Sequence, residues 1–298
     1  MKELIHSPLV LNSNATKLIE TFSAERIISN YEKLGLHVDR FFDSESLYLF
    51  ECLKTGYRFY YPFKAIGDAD FYKDLSLNRA NYYSERWEHK QALKSMNEGD
   101  IVLEIGSGFG LFLKMLKFNN ISGSGLELNP HAVQKCVDEG LDVRQKLVQD
   151  LDNNILFDKV CFFQVLEHIA EVHSFIEAAI NVLKVGGKLI IGVPNNNPYL
   201  FRYDKYHTLN LPPHHAGLWN KRSLTSLEKV FPLKLESMNF EPLNLTYDYF
   251  LNIQLKSSHS GLEKFCIKLL NKLFPKFLKR FLCKFYKGRN VLAVFTKT

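Results

Sequence analysis

Residues 101–110 read Ile-Val-Leu-Glu-Ile-Gly-Ser-Gly-Phe-Gly, an apolar run that leads into three alternating glycines. A second apolar run begins at Leu111 and has the spacing of a helix. The stretch therefore predicts a strand, a tight turn and a helix start. Because Gly106, Gly108 and Gly110 have no Cβ, the backbone N–H groups of such a turn can approach a ligand closely. We expect a small polar ligand there.

The spacing of the glycines narrows the choice of ligand. In the dinucleotide fingerprint the third glycine comes three positions after the second, whereas here it comes two positions after. No Lys-Ser or Lys-Thr pair, the mark of a nucleoside triphosphate loop, follows. Glu104 lies at the strand end, where a carboxylate suits cationic or hydroxyl groups better than a pyrophosphate. A plain strand-to-helix turn without a ligand is the alternative.

A second acidic strand end follows the glycine turn. Residues 121–128 predict a short strand that carries Glu127, and Asn129 and Pro130 then open a helix as N-cap and first helical residue. An acidic residue about 20 positions past the glycines is suited to hydrogen-bond two ribose hydroxyls. The alternative is a carboxylate that only interacts with the helix dipole. The preceding glycine turn favours ribose binding.

Strands and helices continue to alternate along the chain. Residues 141–144, 158–165 and 188–194 predict three further strands, and the second of these is apolar on both faces, as buried parallel strands are. Residues 169–185 have apolar side chains at helical spacing, and Gly186-Gly187 is expected to end that helix as a C-cap pair. This alternation predicts a parallel α/β sheet.

Taken in order, these segments resemble the class I S-adenosylmethionine-dependent methyltransferases over roughly residues 80–240. The resemblance implies a Rossmann-like, seven-stranded sheet with helices on both faces, a reversed final strand and the cofactor across the carboxyl ends of the first strands. Members with Leu-Glu-His after the fourth strand include quinone and sugar O-methyltransferases. The segments that carry the resemblance are Val-Leu-Glu-Ile-Gly-Ser-Gly-Phe-Gly (102–110), Gly-Leu-Glu-Leu-Asn-Pro (125–130), Phe-Asp-Lys-Val (157–160), Val-Leu-Glu-His (165–168), Leu-Lys-Val-Gly-Gly-Lys-Leu (183–189) and Val-Pro-Asn (193–195).

The same resemblance implies a set of contacts to S-adenosylmethionine. Glu104 would lie near the amino-acid end of the cofactor, and Glu127 would hold the ribose hydroxyls. Gln164 would line the sulfonium side, and Asp150 would meet the adenine amino group, although Gln149 is adjacent. The remaining contacts are Gly106, Ser107, Gly108 and Gly110 around the methionine and ribose part, and Leu128 against the adenine.

Histidines are the candidates for a catalytic base, because imidazole accepts protons near neutral pH. His168 follows the fourth predicted strand, where its alternative role is a helix-start residue tied to the backbone. His214 and His215 lie in a loop, residues 210–219, that two prolines stiffen. Paired histidines in such a loop are hard to explain as core residues, so one of them is predicted to touch the acceptor or act as base. Sugar O-methyltransferase-like proteins carry a similar Pro-Pro-His-His stretch, which favours a carbohydrate hydroxyl as acceptor.

No dedicated metal site or disulfide framework is predicted. The five cysteines are scattered, with no Cys-x-x-Cys pair. In some quinone methyltransferases the pair that matches Glu167 and His168 is associated with a divalent metal, which makes these two residues candidate ligands. The start of the chain lacks a signal-peptide core, and no uncharged apolar run is long enough to span a bilayer. A cytoplasmic protein is expected.

The chain is predicted to consist of an N-terminal cap, residues 1–80, and a methyltransferase domain, residues 81–298. Within the cap, residues 16–34 predict a helix, and residues 47–62 predict a hairpin that turns near Thr55-Gly56. Late in the domain, a helix capped by Ser223 is expected over residues 223–230, followed by strands over residues 233–241 and 290–297.

A basic helical insert, residues 258–288, is expected before the last strand. Apolar residues recur there at helical spacing, lysines fill the gaps, and no acid occurs after Glu263. Pro275 is expected to divide the insert into two helices. It could be a structural helix pair with a solvated lysine face, or lie on an anionic membrane through residues 262–287, or bind a partner or nucleic acid. No nucleic acid is expected as a partner, and the oligomeric state is not predicted.

The sequence thus predicts an S-adenosylmethionine-dependent methyltransferase that methylates a hydroxyl of a sugar, or of a polysaccharide or lipid-linked glycan precursor. Transfer to a quinone, a phenol or another small molecule is the first alternative. An NAD-dependent oxidoreductase and a non-catalytic, membrane-associated scaffold are the others. The glycine spacing argues against the oxidoreductase, and the intact cofactor residues argue against the scaffold.

Overall fold

The computed structural model describes residues 5–11, 13–78, 84–152, 154–197, 203–258 and 260–298 of the 298-residue chain. Two sheets organise it, one of four strands near the N-terminus and one of seven strands. The strands of the larger sheet are β4 (Ile101–Ile105), β5 (Ser122–Leu126), β6 (Asp142–Arg144), β7 (Phe157–Phe163), β8 (Leu183–Pro194), β10 (Leu233–Pro242) and β11 (Lys287–Lys297).

The order of the seven strands is β10-β11-β8-β7-β4-β5-β6. β4 pairs in parallel with both β5 and β7, β5 with β6, and β7 with β8. β11 is antiparallel to both β8 and β10. The predicted seven-stranded α/β sheet with a reversed final strand is therefore confirmed. The chain leaves β4 on one side for β5 and β6 and returns on the other side for β7, so the carboxyl end of β4 is a topological switch point.

The helices beside the first strands begin where their capping residues predict. α4 (Leu111–Phe118) follows Gly110, and α5 (Pro130–Asp138) starts with proline at its first position. The Asn129 side chain accepts a hydrogen bond from the His131 N–H and so caps α5. Other helices that follow the N-terminal region are α3 (Trp87–Leu93), α6 (Val172–Asn181) and α7 (Lys221–Thr225). The core between sheet and helices is built from fully buried residues such as Leu103, Phe162 and Ile191.

The smaller sheet has the order β1-β2-β3-β9, with β1 (Thr16–Ser23), β2 (Ser46–Cys52), β3 (Arg58–Tyr61) and β9 (Gly217–Leu218). The hairpin predicted near Thr55-Gly56 is present as the antiparallel pair of β2 and β3. The first three strands come from the N-terminal region, together with α1 (Ala24–Glu32) and α2 (Ala69–Asn78). β9 follows the Pro-Pro-His-His loop directly and pairs with β3, so the N-terminal cap holds that loop.

Residues 16–34 do not form the single helix that the sequence predicted. The first half is β1, which pairs with β2 from Thr16 opposite Cys52 to Ser23 opposite Ser46. Ser23 then caps α1, because its side chain accepts a hydrogen bond from the Arg26 N–H. In residues 16–23, hydrogen-bonded pairing with β2 outweighs the helical spacing of the apolar side chains.

Gly186 and Gly187 do not cap the preceding helix. α6 ends at Asn181, and both glycines lie within β8. Phe157 of β7 faces Leu183, and Lys159 faces Lys188, so four residues of β8 bulge out opposite one residue of β7. Gly186 has φ 77° there, which a residue with a side chain rarely adopts. The glycines therefore allow a bulge in a long strand.

The predicted helix over residues 223–230 begins earlier than expected. Asn220, not Ser223, is the N-cap of α7: its side chain accepts from the Ser223 N–H, and the Ser223 hydroxyl accepts from the Asn220 N–H. After Thr225 the chain tightens into a 3-10 turn over Ser226–Lys229.

The last helices are α8 (Tyr247–Ser257), α9 (Gly261–Leu273) and α10 (Pro275–Phe285), and β11 follows them. Pro275 is the first residue of α10, so the predicted division of the basic insert is confirmed. Among the described residues, no helix has the length and apolar character needed to cross a membrane.

Candidate active site

A cavity of about 1070 Å³ opens at the carboxyl ends of β4, β5 and β7. This is the switch point of the sheet, where open α/β sheets bind their ligands. Ordinary ligand pockets measure about 300–1,000 Å³. The cavity is therefore large enough for a nucleoside-sized cofactor and an acceptor together.

The glycine turn forms one wall of the cavity. Gly106 has φ 74°, and a Cβ built on it would lie 2.4 Å from Cγ2 of Val165. The Gly106 and Ser107 N–H groups donate to the Leu126 carbonyl at 2.7 and 3.0 Å, which ties the turn to β5. Only glycine fits this position, and the backbone there can approach a bound molecule.

Glu127 connects the turn to the start of α5. Its Oε2 accepts a hydrogen bond from the Gly108 N–H at 2.8 Å. Its Oε1 accepts from the Leu128 and Asn129 N–H groups, both at 2.8 Å. These bonds hold the carboxylate at the cavity wall, in the place where ribose hydroxyls are expected.

Glu104 lies deeper, at the end of β4, and its side chain is 3% exposed. Its Oε2 atom has no hydrogen-bond partner among the described residues. Burial, and then the nearby charge of Glu127, raise the pKa of Glu104 well above its usual range. A ligand ammonium group beside this oxygen would satisfy it and favour the ionised form. The residue thus fits the amino-acid end of S-adenosylmethionine.

Gln164 follows β7 in a left-handed conformation, with φ 56°. Its Nε2 donates to Oε1 of Glu88 at 2.7 Å. Burial raises the pKa of Glu88 to about 6. A backbone in this region is costly for a residue with a side chain, and such positions are often functional. Here it turns Gln164 into the cavity.

Three imidazoles meet in another part of the cavity lining. The rings of His214 and His215 are stacked with their centroids 4.5 Å apart, and the His168 ring lies 4.9 and 5.0 Å from them. His168 follows β7, whereas the other two come from the loop before β9. His214 and His215 are almost completely buried. The structure therefore brings together three histidines from two distant segments.

Tyrosines of the N-terminal cap fix the histidine loop. The Tyr60 hydroxyl donates to the Asn210 carbonyl at 2.7 Å, and the Tyr31 hydroxyl donates to the Leu211 carbonyl at 3.0 Å. The Ala216 N–H donates to the Glu167 carbonyl at 2.8 Å. Hydrogen bonds to backbone groups of the loop thus anchor it on both sides of the two histidines.

The tautomer of His168 follows from its contacts. Its Nδ1 lies 2.5 Å from the His214 carbonyl oxygen, which can only accept, so Nδ1 carries the proton. The Tyr72 hydroxyl donates to the same carbonyl at 3.0 Å. Nε2 is therefore the unprotonated nitrogen. Burial lowers the pKa of His168 to about 4, so the ring is neutral near pH 7.

Glu167 lies next to this ring. Its side chain is fully buried, and its Oε1 lies 3.8 Å from Nε2 of His168. Neither carboxyl oxygen has a hydrogen-bond partner among the described residues. Burial raises the pKa of Glu167 to about 8, so the group is mostly protonated near neutral pH.

The histidine cluster could also hold a divalent cation. One nitrogen atom from each of His168, His214 and His215 lies within 4.8 Å of the others. Imidazole is a common ligand of zinc, with nitrogen-to-metal distances near 2.0–2.1 Å, so the rings would have to turn toward a common point. The sequence predicted no dedicated metal site and named only Glu167 and His168 as candidate ligands.

The structure brings most of the predicted site residues to one cavity. Its walls include Glu104, Gly106, Ser107, Gly108, Glu127, Leu128, Gln164, His168, His214 and His215.

Two predicted residues lie outside the cavity lining. Gly110 precedes α4 with φ 65°, and a Cβ there would lie 2.5 Å from Cδ1 of Leu141, so it serves packing. Asp150 is exposed on a 3-10 turn, whereas the adjacent Gln149 lines the cavity. The interpretation of Asp150 as the adenine contact therefore has no support from its position.

Several cavity residues were not predicted. Glu88, which contacts the lining residue Gln164, was not predicted either: it is a helix residue before β4, and nothing in its local sequence distinguishes it from a surface glutamate. Tyr72 belongs to the N-terminal cap, and its contact with the histidine loop depends on tertiary structure. The asparagines after β8 follow the Val-Pro-Asn segment and could have been found from it. The unpredicted lining residues are Tyr72, Asn195, Asn196, Asn210 and Arg289.

Known proteins match both the sequence and the fold. The family described as methionine biosynthesis protein MetW matches residues 86–216, less than half of the chain. A ubiquinone biosynthesis O-methyltransferase of Marinobacter nauticus is 27% identical over 161 residues, which span 50% of this chain and 64% of that protein, just under two thirds of its length. The ubiquinone biosynthesis O-methyltransferase of Alkalilimnicola ehrlichii is 28% identical over 185 residues, which span 55% of this chain and 75% of that protein.

A solved structure shares the fold. It is a chain of the complex between the Haloferax volcanii Trm112 methyltransferase activator and a methyltransferase, with 19% identity, a TM-score of 0.51, and coverage of 77% of this chain and 95% of that chain. Together with the strand order and the glycine turn, these matches give the chain the fold of class I S-adenosylmethionine-dependent methyltransferases and show its similarity to proteins of that class. S-adenosylmethionine is the cofactor of this class, and Glu104, Glu127 and the glycine turn are suited to hold it.

Proposed function

We propose that the chain transfers a methyl group from S-adenosylmethionine to a hydroxyl oxygen of a sugar, either free or within a polysaccharide or lipid-linked glycan precursor. The cofactor, when bound, supplies an electrophilic methyl group on a sulfonium. The chain's own residues must then place the acceptor oxygen in line with that group and accept the hydroxyl proton.

The observation that carries the proposal is the neutral imidazole of His168 in a polar part of the cavity. Its Nδ1 proton is committed to the His214 carbonyl, so Nε2 presents a lone pair. A neutral imidazole can accept the hydroxyl proton as the new carbon–oxygen bond forms. A group that is already protonated at neutral pH could not do so.

The cavity lining offers groups suited to a polyhydroxylated acceptor. Asn195, Asn196 and Asn210 are buried in the cavity wall. Nδ2 of Asn210 has no hydrogen-bond partner among the described residues and is a donor for an acceptor oxygen. Buried amides of this kind favour ligands that supply hydrogen bonds, because an unsatisfied buried donor costs about 1–3 kcal/mol. A sugar meets this requirement at several atoms.

A phenolic hydroxyl of a quinone precursor is the second candidate acceptor. The curated relatives that match half of the chain are ubiquinone biosynthesis O-methyltransferases. Phe175 and Ile169 contribute apolar surface to the cavity lining, which an aromatic ring could contact. A phenol also loses its proton more readily than a sugar hydroxyl and depends less on a base.

Two acceptor panels distinguish these candidates. The chain is incubated with S-adenosylmethionine that carries a deuterated methyl group, together with nucleotide sugars and lipid-linked saccharides or with prenylated catechols. Mass spectrometry then reports which acceptor gains the labelled methyl group. Labelled saccharide supports the proposal. Labelled catechol with unlabelled saccharides would replace it with the quinone reaction, and a methylated amine or carbon would contradict both.

A further inference from the structure

The helix pair α9 and α10, called here the basic hairpin (residues 261–285), exposes an unusual amount of apolar surface. Neither helix contains a buried residue. Phe277 and Phe285 are 71% and 67% exposed. The other exposed large apolar side chains of the hairpin are Leu262, Phe265, Leu269, Leu270, Leu273, Phe274 and Phe281.

The exposed apolar residues form stripes along the helices. Phe277, Phe281 and Phe285 are four residues apart, so they lie on one face of α10. Their rings contact in sequence, with centroid distances of 6.3 and 5.1 Å. In α9, Leu262, Phe265 and Leu269 are three and four residues apart, which also places them on one face of the helix. Contiguous apolar patches of this kind on a protein surface mark sites of interaction.

Cations flank these stripes. Between Lys264 and Lys284 the hairpin has seven basic residues and no acid, since Glu263 is the last acidic residue of the chain. Lys268, Lys272 and Lys284 are exposed. A helix with aromatic residues on one face and lysines beside them is typical of segments that lie at the surface of an anionic bilayer.

The hairpin is attached to the domain through other residues. Leu282 and Cys283 of α10 pack on a small core formed by Leu243, Tyr247, Phe250 and Ile253. The Tyr247 hydroxyl donates to Oδ1 of Asn271 in α9 at 3.0 Å. The face that fixes the hairpin is thus distinct from the phenylalanine stripe, which leaves that stripe available.

The charge pattern favours a lipid surface over a second copy of this chain. If two hairpins paired through their phenylalanines, their lysines would face one another without any acid to compensate them. Like charges in close contact disfavour such pairing. Anionic headgroups would instead neutralise the cations while the phenyl rings enter the interface.

We propose that the basic hairpin is a docking surface for an anionic membrane, in which the phenylalanine stripe enters the headgroup region and the lysines bind lipid phosphates. β11 begins two residues after the hairpin, and its residues Arg289 and Asn290 line the cavity. The hairpin is therefore joined to the cavity wall by a short stretch of chain. The proposal concerns a surface outside the cavity and does not depend on which hydroxyl is methylated.

Vesicle sedimentation tests the proposal with the full chain. We expect it to bind vesicles of phosphatidylglycerol and phosphatidylcholine, and to bind vesicles of phosphatidylcholine alone at least about tenfold more weakly. High salt should weaken the binding, because it screens the contacts between lysine and phosphate.

Two sets of variants identify the surface. F277S/F285S should reduce vesicle binding at least about tenfold, since each ring contributes apolar burial. F118S is the matched control, because Phe118 is 88% exposed at the end of α4, away from the hairpin. K268Q/K272Q/K284Q should reduce binding on the order of 100-fold, at roughly 1 kcal/mol per cation. K54Q/K221Q/K229Q removes three exposed lysines elsewhere and should bind as the parent does.

The outcomes separate docking from misfolding and from self-association. Affinity for S-adenosylhomocysteine should be the same in all variants, which shows that each is folded. Equal binding to neutral and anionic vesicles, or no binding to either, would overturn the proposal. A dimer of the parent in analytical ultracentrifugation, together with absent vesicle binding, would also overturn it if F277S/F285S dissociated that dimer. The phenylalanine stripe would then contact a second copy of the chain.

Discussion

Nδ1 of His168 and the backbone carbonyl oxygen of His214 lie 2.5 Å apart. This contact joins the end of β7 to a loop more than forty residues later, and it sets the protonation pattern of the ring. A carbonyl cannot donate, so the proton is on Nδ1 and the lone pair is on Nε2. The backbone of one histidine thus prepares another as a proton acceptor.

Substitution H168Q should lower kcat by about 100-fold or more, because the ring that accepts the acceptor proton is lost. Affinity for S-adenosylhomocysteine, measured by calorimetry, should be unchanged. H173Q is the matched control: Nδ1 of His173 also contacts a backbone carbonyl, that of Leu9 at 3.0 Å, but in the described part of the chain His173 lies outside the cavity lining. Full activity of H168Q would exclude this ring as the base.

The pH dependence of kcat/KM should reflect the lowered pKa of His168. The ring loses its lone pair only when pH falls through about 4, the pKa that burial imposes on it. We therefore expect a constant kcat/KM from neutral pH down to about pH 5 and a decline below that, instead of a limb near 6.5, the ordinary value of histidine. Circular dichroism at each pH distinguishes titration from acid unfolding. An acid limb near 6.5 that disappears in H168Q would contradict the burial argument.

Substitution E127Q should weaken binding of S-adenosylhomocysteine by about 10- to 100-fold, since charged hydrogen bonds contribute about 1.5–3 kcal/mol each. The glutamine side chain is nearly equal in size, but its NH2 group cannot accept a hydrogen bond, so it keeps either the bond from the Gly108 N–H or the bonds from the Leu128 and Asn129 N–H groups. E139Q is the control, because Glu139 is a solvent-accessible carboxylate paired with Lys114 outside the cavity lining. Equal affinity in E127Q and the parent would mean that Glu127 only supports the loop.

Substitution E167Q should stabilise the protein at alkaline pH. Burial raises the pKa of Glu167 in the folded state to about 8, above about 4.3 in an unfolded chain. Below about pH 4.3 Glu167 is protonated in both states, and its contribution to stability is fully present. As the pH rises above about 4.3 the unfolded chain ionises first, so the fold loses stability until Glu167 also ionises in the fold at about pH 8. We expect E167Q to exceed the parent in unfolding free energy by about 2 kcal/mol or more near pH 9, with little difference near pH 4.

Chemical denaturation at the two pH values measures this difference. The exposed Glu98 provides the control variant E98Q, which should leave the stability difference between the two pH values unchanged. A stability gap between E167Q and the parent that does not grow with pH would show that the fold does not raise the pKa of Glu167.

The sequence predicted the parts of the fold that local patterns encode. The glycine turn, Glu127 before Asn129-Pro130, and the buried strands β7 and β8 each have a local signature. Their alternation predicted a parallel α/β sheet, whereas the seven strands and the reversed final strand were implied by the family resemblance. The residues predicted to hold the cofactor could be named for the same reason, because they directly follow strand ends.

What the sequence did not predict depends on contacts between distant segments. Residues 16–23 form β1 because β2 lies beside them, and Gly186-Gly187 form a bulge because β7 lies beside β8. The histidines were predicted as separate candidates, but their meeting with Tyr72 requires the N-terminal cap to hold the loop. Glu88 reaches Gln164 only in the folded chain.

The central claim is that the cavity at the ends of β4, β5 and β7 binds S-adenosylmethionine. Isothermal titration of the folded chain with S-adenosylhomocysteine, in parallel with NADH, tests it most directly. We predict one molecule of S-adenosylhomocysteine bound per chain and no heat from NADH. Binding of NADH without any heat from S-adenosylhomocysteine would contradict the account.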